Sequence, residues 1–424
     1  MKTFLLIFLL FLSILTAQPQ RGERISVAQQ LFQSETIIIP NSTNNFNLYY
    51  TYKIPYNRLV FERDNGNYSA GLRVLVEIED QQSNLIDRDI KDTELIVNNF
   101  EATNERGFFL QDYLKFELTG DKYFVKTTIT DLNSQNELKL EPAKIELTKI
   151  PDEKILHPLV IETKDTECEI ENAFKLANFG GNVPFSPNAY NLIIPLIDTS
   201  VQTINVSIIN NEDTLLSSTI TELYEFPIGI SKCNSNLVVQ QDDESIETIN
   251  FVVRNVNEKL REGRVKLTVI HGEEIIKEFN SEVIWIDKPF SLRDPAMAIE
   301  LLKYITADSV ISRLLSVDEL DYPRVLHEYW NGFDPTPETS YNQLMTEYYR
   351  RIDYAAKEFR GLGKENGVKT DRGMIYIRFG KPEDVERSSN NQGQVVETWT
   401  YKNPERKFVF VDKRGIGNFT LIDN

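Results

Sequence analysis

Apolar side chains recur at every second position through much of the first 286 residues, and that period leaves the chain few ways to fold. In FNLYYTYKI, Phe46, Leu48, Tyr50, Tyr52 and Ile54 share one face, while Asn47, Thr51 and Lys53 share the other. LRVLVEIE repeats the pattern with Leu72, Val74, Val76 and Ile78, and YFVKTTIT with Tyr123, Val125, Thr127 and Ile129. A β-strand sends successive side chains to opposite faces, so the pattern predicts half-buried antiparallel strands. Turn-forming clusters such as Arg63-Asp64-Asn65-Gly66-Asn67 and Asn133-Ser134-Gln135-Asn136 separate the runs. The expectation is a β-sandwich over 31–150. Residues 151–157 read as a linker. A second set of alternating runs follows: NLIIPLI (191–197), TINVSII (203–209), TINFVVR (248–254), RVKLTVI (264–270) and EVIWI (282–286). It predicts a second sandwich over 158–288.

From Asp294-Pro295 the period lengthens. Asp at an N-cap and Pro at the first helical position open a helix, and helical patterns cover about 294–305, 308–316 and 318–331. A longer one is predicted from Pro337 to Phe359, with Tyr341, Leu344, Met345, Tyr348, Ile352, Ala355 and Phe359 as an apolar stripe. Short strands are expected after it at MIYIRF, VETWTY, KFVFVD and NFTLI. Residues 289–424 therefore read as an α+β domain, helices first and a small antiparallel sheet after. The expected fold class is multidomain: two antiparallel β-sandwich domains, then this α+β domain.

The N-terminus predicts a compartment. Lys2 precedes an apolar run from Phe4 to Leu15, and Leu15-Thr16-Ala17 supplies small residues for a cut. That is the layout of a secretory signal peptide over 1–17, followed by a polar linker over 18–30. The run is too short to span a bilayer, and no later stretch is long enough, so no membrane span is expected after cleavage. The expected location is periplasmic or extracellular. In that setting Cys168 and Cys233, the two cysteines of the chain, are candidates for a disulfide. Two isolated cysteines lack the ligand cluster of a zinc site, and no metal or other cofactor is expected. Net charge is −18 over 424 residues, of which the first 290 carry −16. A phosphate backbone would be repelled, which argues against nucleic acid as a partner.

Catalytic motifs are sparse. The chain has no G-x-S-x-G elbow, H-E-x-x-H pair or Gly-rich phosphate loop, and its three histidines (157, 271 and 327) have no nucleophile or metal partner at local spacing. Asp131-x-Asn133-x-Gln135 alternates oxygen ligands as a calcium loop does, but a hairpin turn accounts for it better. One cluster stands out. Asp334-Pro335-Thr336-Pro337 starts the long helix with Asp or Thr as its cap, Arg350 and Arg351 lie along it, and Thr370-Asp371-Arg372-Gly373 leads directly into a strand. On the structural reading Asp371 accepts from turn amides and pairs bidentately with a helix arginine, locking helix to sheet. On the functional reading Asp334, Arg350, Arg351, Thr370, Asp371 and Arg372 gather as a ligand site.

Four stretches in order, DPTPET (334–339), YYRRIDYAAKEF (348–359), GVKTDRGMIYIRFGKPED (367–384) and VETWTY (396–401), resemble the GWxTD domain of exported bacterial proteins. Gly367, Thr370 and Asp371 match the naming motif, while its Trp is replaced by Val368. The resemblance extends over about 290–424 and implies export and a bacterial cell-envelope setting; it brings no established activity. A Val in place of an aromatic suits a structural corner better than a stacking site. The expected function is non-catalytic binding or assembly, with an envelope protein or glycan as partner. The alternative is a periplasmic or secreted hydrolase with a carboxylate/arginine site in the C-terminal domain. An open sheet edge favours the former, and a cleft holding the candidate carboxylates and arginines favours the latter.

Overall fold

The computed structural model describes residues 32–105, 107–147, 154–163, 168, 170, 172–272, 274–361 and 366–423. The predicted signal peptide and residues 18–31 lie outside them. Antiparallel sheets dominate, with helices near the C-terminus and a small antiparallel sheet closing the chain.

In the first region, strands Gln33–Pro40, Asn45–Pro55 and Phe109–Thr119 form one sheet. Asn67–Glu79 centres another, flanked by Leu85–Val97 and by Lys122–Asp131. Phe46, Leu48, Tyr50 and Tyr52 from the first sheet meet Leu72, Val74, Val76 and Val125 from the second in one core. The alternating residues named above are therefore the inward ones.

One expectation fails. Asn45–Pro55 was expected to be half-buried, yet Phe46 to Ile54 are buried without a break. The second region covers its polar face. Tyr49, with Ile37 and Ile39, packs on Leu159, Ile161, Ile193, Ile228 and Val239. Polar groups there find partners across the seam. Lys53 Nζ donates to the Leu176 carbonyl at 2.7 Å, Tyr49 Oη to Asp242 Oδ2 at 2.9 Å, and Lys232 Nζ to Asp112 Oδ2 at 2.6 Å.

In the second region a five-stranded sheet holds Gly263–His271 and Glu274–Ile284 at its middle, beside a four-stranded sheet around Tyr190–Leu196 and Ile249–Val253. Their facing residues, among them Ile194, Val206, Phe251 and Val269, form a further core. Cys168 and Cys233 are joined, with Cα atoms 6.1 Å apart. Asp131 accepts from the amides of Asn133 and Ser134 at 3.1 and 2.7 Å, the geometry of a turn.

Helices Pro295–Leu301, Asp308–Leu314, Tyr322–Asn331 and Gln343–Glu358 build the C-terminal region. Asp294 caps the first, accepting from Met297 N at 3.1 Å. The long helix starts later than expected. Asn342, not the Asp334–Pro337 segment, caps it, accepting from Met345 N at 2.8 Å. The larger correction concerns MIYIRF, expected as a strand. Asp371–Phe379 is a helix. A four-residue apolar run is ambiguous in period, and the cap that precedes it decides its form. The sheet follows as a meander of Asp384–Ser389, Val395–Lys402, Glu405–Asp412 and Phe419–Asp423. Trp285, at the end of the second region, lies in the core of the helices, its ring 5.2 Å from Phe185 and 5.5 Å from Tyr341. No described helix is long and apolar enough to cross a membrane.

Candidate functional site

The segment Gly367–Arg372 packs against the long helix, and backbone meets backbone there. A Cβ on Gly367 would run into the Ala355 carbonyl oxygen, and one on Gly373 into that of Gly367. Glycine at both positions permits the approach. Val368 points into the core and is 3% exposed. Thr370 is the N-cap of the short helix: Oγ1 accepts from Gly373 N at 3.1 Å and donates to the Gly367 carbonyl at 2.8 Å. One residue on, Asp371 Oδ2 accepts the Leu421 amide at 2.7 Å, tying the helix start to the last strand.

Arg372 turns into the protein, 9% exposed, and its guanidinium lies 4.1 Å over the Phe419 ring and 5.2 Å over Phe359. Nη1 stands 3.5 Å from Glu397 Oε1, and Nη2 donates to the Gly417 carbonyl at 3.4 Å. The Glu397 carboxylate, 2% exposed, also accepts from Trp399 Nε1 at 2.7 Å and from Arg387 Nε at 2.9 Å. Burial lowers the pKa of Arg372, and the charge and hydrogen bond of Glu397 oppose that shift. The buried Arg372–Glu397 pair, joined from the solvent side by Arg387, ties the short helix to the sheet.

The six candidates do not converge. Arg350 pairs with Asp287, and Arg351 Nε donates to Glu347 Oε1 at 2.7 Å within its own helix. The expected bidentate pair between a long-helix arginine and Asp371 is absent; a main-chain amide occupies Asp371 instead. Asp334 lies elsewhere, its Oδ1 accepting from Thr336 N at 2.9 Å. It lines a polar cleft of about 470 Å³ with Glu258, Arg261, His327 and Glu338. Burial, aided by the Arg261 charge, lowers the pKa of His327 against the pull of Asp334 and Glu328.

A second cavity, of about 450 Å³, opens at the seam of the first two regions beside Glu35, Ile37, Phe46, Tyr50, Leu156 and His157. Burial raises the pKa of Glu35, opposed by the His157 charge and by the Asn178 hydrogen bond at 3.0 Å. Nearby, burial lowers Lys53 to about 8, with Glu35 opposing. Among the described residues no group of three or more His, Cys, Asp or Glu is placed to hold a metal ion.

Sequence reasoning missed Glu397, Asp287 and Glu35. Only Glu397 carried a signal: in VETWTY it shares parity with Trp399 and Tyr401, both buried. The family model of the GWxTD domain matches residues 275–422. Its start falls within the strand Glu274–Ile284, upstream of the resemblance read from the motifs, and so takes in Trp285. A search of curated proteins finds no match.

Proposed function

We propose that this protein, which carries a GWxTD domain, is an exported, non-catalytic binding or assembly component of a bacterial cell envelope. One observation carries the reading. Thr370, Asp371 and Arg372 are committed to the capping, amide and ion-pair contacts that hold the domain together. Catalysis needs groups left free to meet a substrate, and none of these three lines either cavity described above. The signal-peptide layout of residues 1–17 supports export. We read the first two regions, 31–150 and 158–288, as sandwiches that offer edges and loops to an envelope protein or glycan, and 289–424 as the domain that anchors them. The test is urea unfolding of the full chain as wild type, Thr370→Val and Asp371→Ala. The expected result is a clear fall in midpoint for both; unchanged midpoints would return the cluster to the catalytic candidates.

The hydrolase reading retains one foothold, the cleft where Asp334, His327 and Arg261 meet. It requires that ester, glycoside or phosphate turnover by the wild type vanish in His327→Gln and Asp334→Asn.

A further inference from the structure

The strand Leu85–Val97 runs for 13 residues and pairs on one side, with Asn67–Glu79. Residues 85–90 are exposed without interruption, Ile86 and Ile90 among them. The amides of Arg88 and Ile90 are held by the carboxylates just before them, Asp87 at 2.7 Å and Asp89 at 2.8 Å. Alternate amides of a strand point to the same edge, so the even-numbered residues turn theirs outward. A long edge of this kind is a template for another strand.

We propose that this edge pairs antiparallel with the same edge of a second copy of the chain, across a two-fold axis at Ile90. Charge complementarity selects both the occupant and the register. Centred on Ile90, Arg88 faces the second copy's Asp92, which Arg73 holds from the other side at 2.6 Å, and Asp89 faces its Lys91, which stands 3.6 Å from Asp112; each contact occurs twice by symmetry, and no like charges meet. Centring on Asp89 or Lys91 sets that residue against itself. Half-step shifts set Asp89 against Asp92 or Arg88 against Lys91. Like charges directly opposite are destabilising, and opposite charges are favourable. The same centre places Ile90 against Ile90 on the even parity whose amides face outward. Each Ile90 amide then exchanges its Asp89 carboxylate for a carbonyl, and Asp89 is released towards Lys91. This interface is isologous, as a two-fold dimer requires. It is independent of the functional reading above, since an enzyme would pair through the same edge.

Analytical ultracentrifugation of the full chain across a wide concentration range tests the proposal. A reversible dimer is expected. Arg88→Glu, which opposes Asp92 at two symmetric places, should raise its dissociation constant about tenfold or more. Asp89→Lys, which opposes Lys91 at two symmetric places, should raise it likewise. Ile90→Pro, which removes an outward amide unused by the sheet, should give a monomer with unchanged far-ultraviolet circular dichroism. A monomer at every concentration overturns the proposal. So does a dimer indifferent to Arg88→Glu or to Asp89→Lys, since either would place the contact on another surface.

Discussion

Replacing Glu397 by Gln tests whether the corner is held by charge. The amide keeps the shape and can still accept from Trp399 Nε1, so packing and one hydrogen bond survive. The Arg372 guanidinium remains, almost wholly buried, without its counter-charge. Removing one partner of a buried pair costs about 3–5 kcal/mol, because the other charge is left uncompensated. The long 3.5 Å contact and the attraction of Asp412 put the expected loss near the lower end, about 3 kcal/mol. With a urea slope of about 2 kcal/mol/M the midpoint falls by about 1.5 M. Tryptophan emission is the right assay, since all three tryptophans, Trp285, Trp330 and Trp399, lie in the C-terminal core. Arg372→Met combined with Glu397→Gln should be less destabilised than the two single losses summed, by about 2 kcal/mol. An unmoved midpoint in Glu397→Gln, or strict additivity in the double variant, would refute the argument.

Other outcomes follow from the same geometry. Lys53 has a pKa of about 8 against an ordinary 10.5, so its burial penalty is fully present below about pH 8 and fades as pH rises towards 10.5. Relative to Lys53→Met, the wild type should gain up to about 3 kcal/mol across that interval in pH-dependent unfolding, and a constant gap would refute the assignment. Gly373→Ala drives a methyl group into a backbone oxygen and should cost about 3 kcal/mol or more, read by the same tryptophan signal; a near-neutral result would mean the two backbones part easily. Breaking the Cys168–Cys233 bridge with Ser at both positions frees a loop of 65 residues and should cost about 4 kcal/mol by circular dichroism melting, a loss that an already open pair would not show.

The strands were legible because their inward residues share parity: Leu72, Val74, Val76 and Ile78 could face only one way. What parity could not tell is what covers the other face. Asn47, Thr51 and Lys53 look like solvent positions, yet all three are buried, and Lys53 reaches the Leu176 carbonyl, more than 100 residues further along the chain. Tertiary cover of this kind has no local trace. The MIYIRF error was local and avoidable. Thr370 followed by Asp371 is an N-cap with an acid in the first turn, a signal that favours a helix over the expected strand. The expected pairing with Asp371 has no counterpart because each arginine meets another acid: Arg350 pairs with Asp287, Arg351 with Glu347 and Arg372 with Glu397.

The aromatic joint of Phe185, Trp285 and Tyr341 has a structural consequence. Apolar contact links the first region to the second, and this ring cluster links the second to the helices, so among the described residues each region is packed on the next. The cleft beside Asp334, lined by Glu258 and Arg261 of the second region and by His327 and Glu338 of the C-terminal one, therefore takes its walls from both sides of that joint.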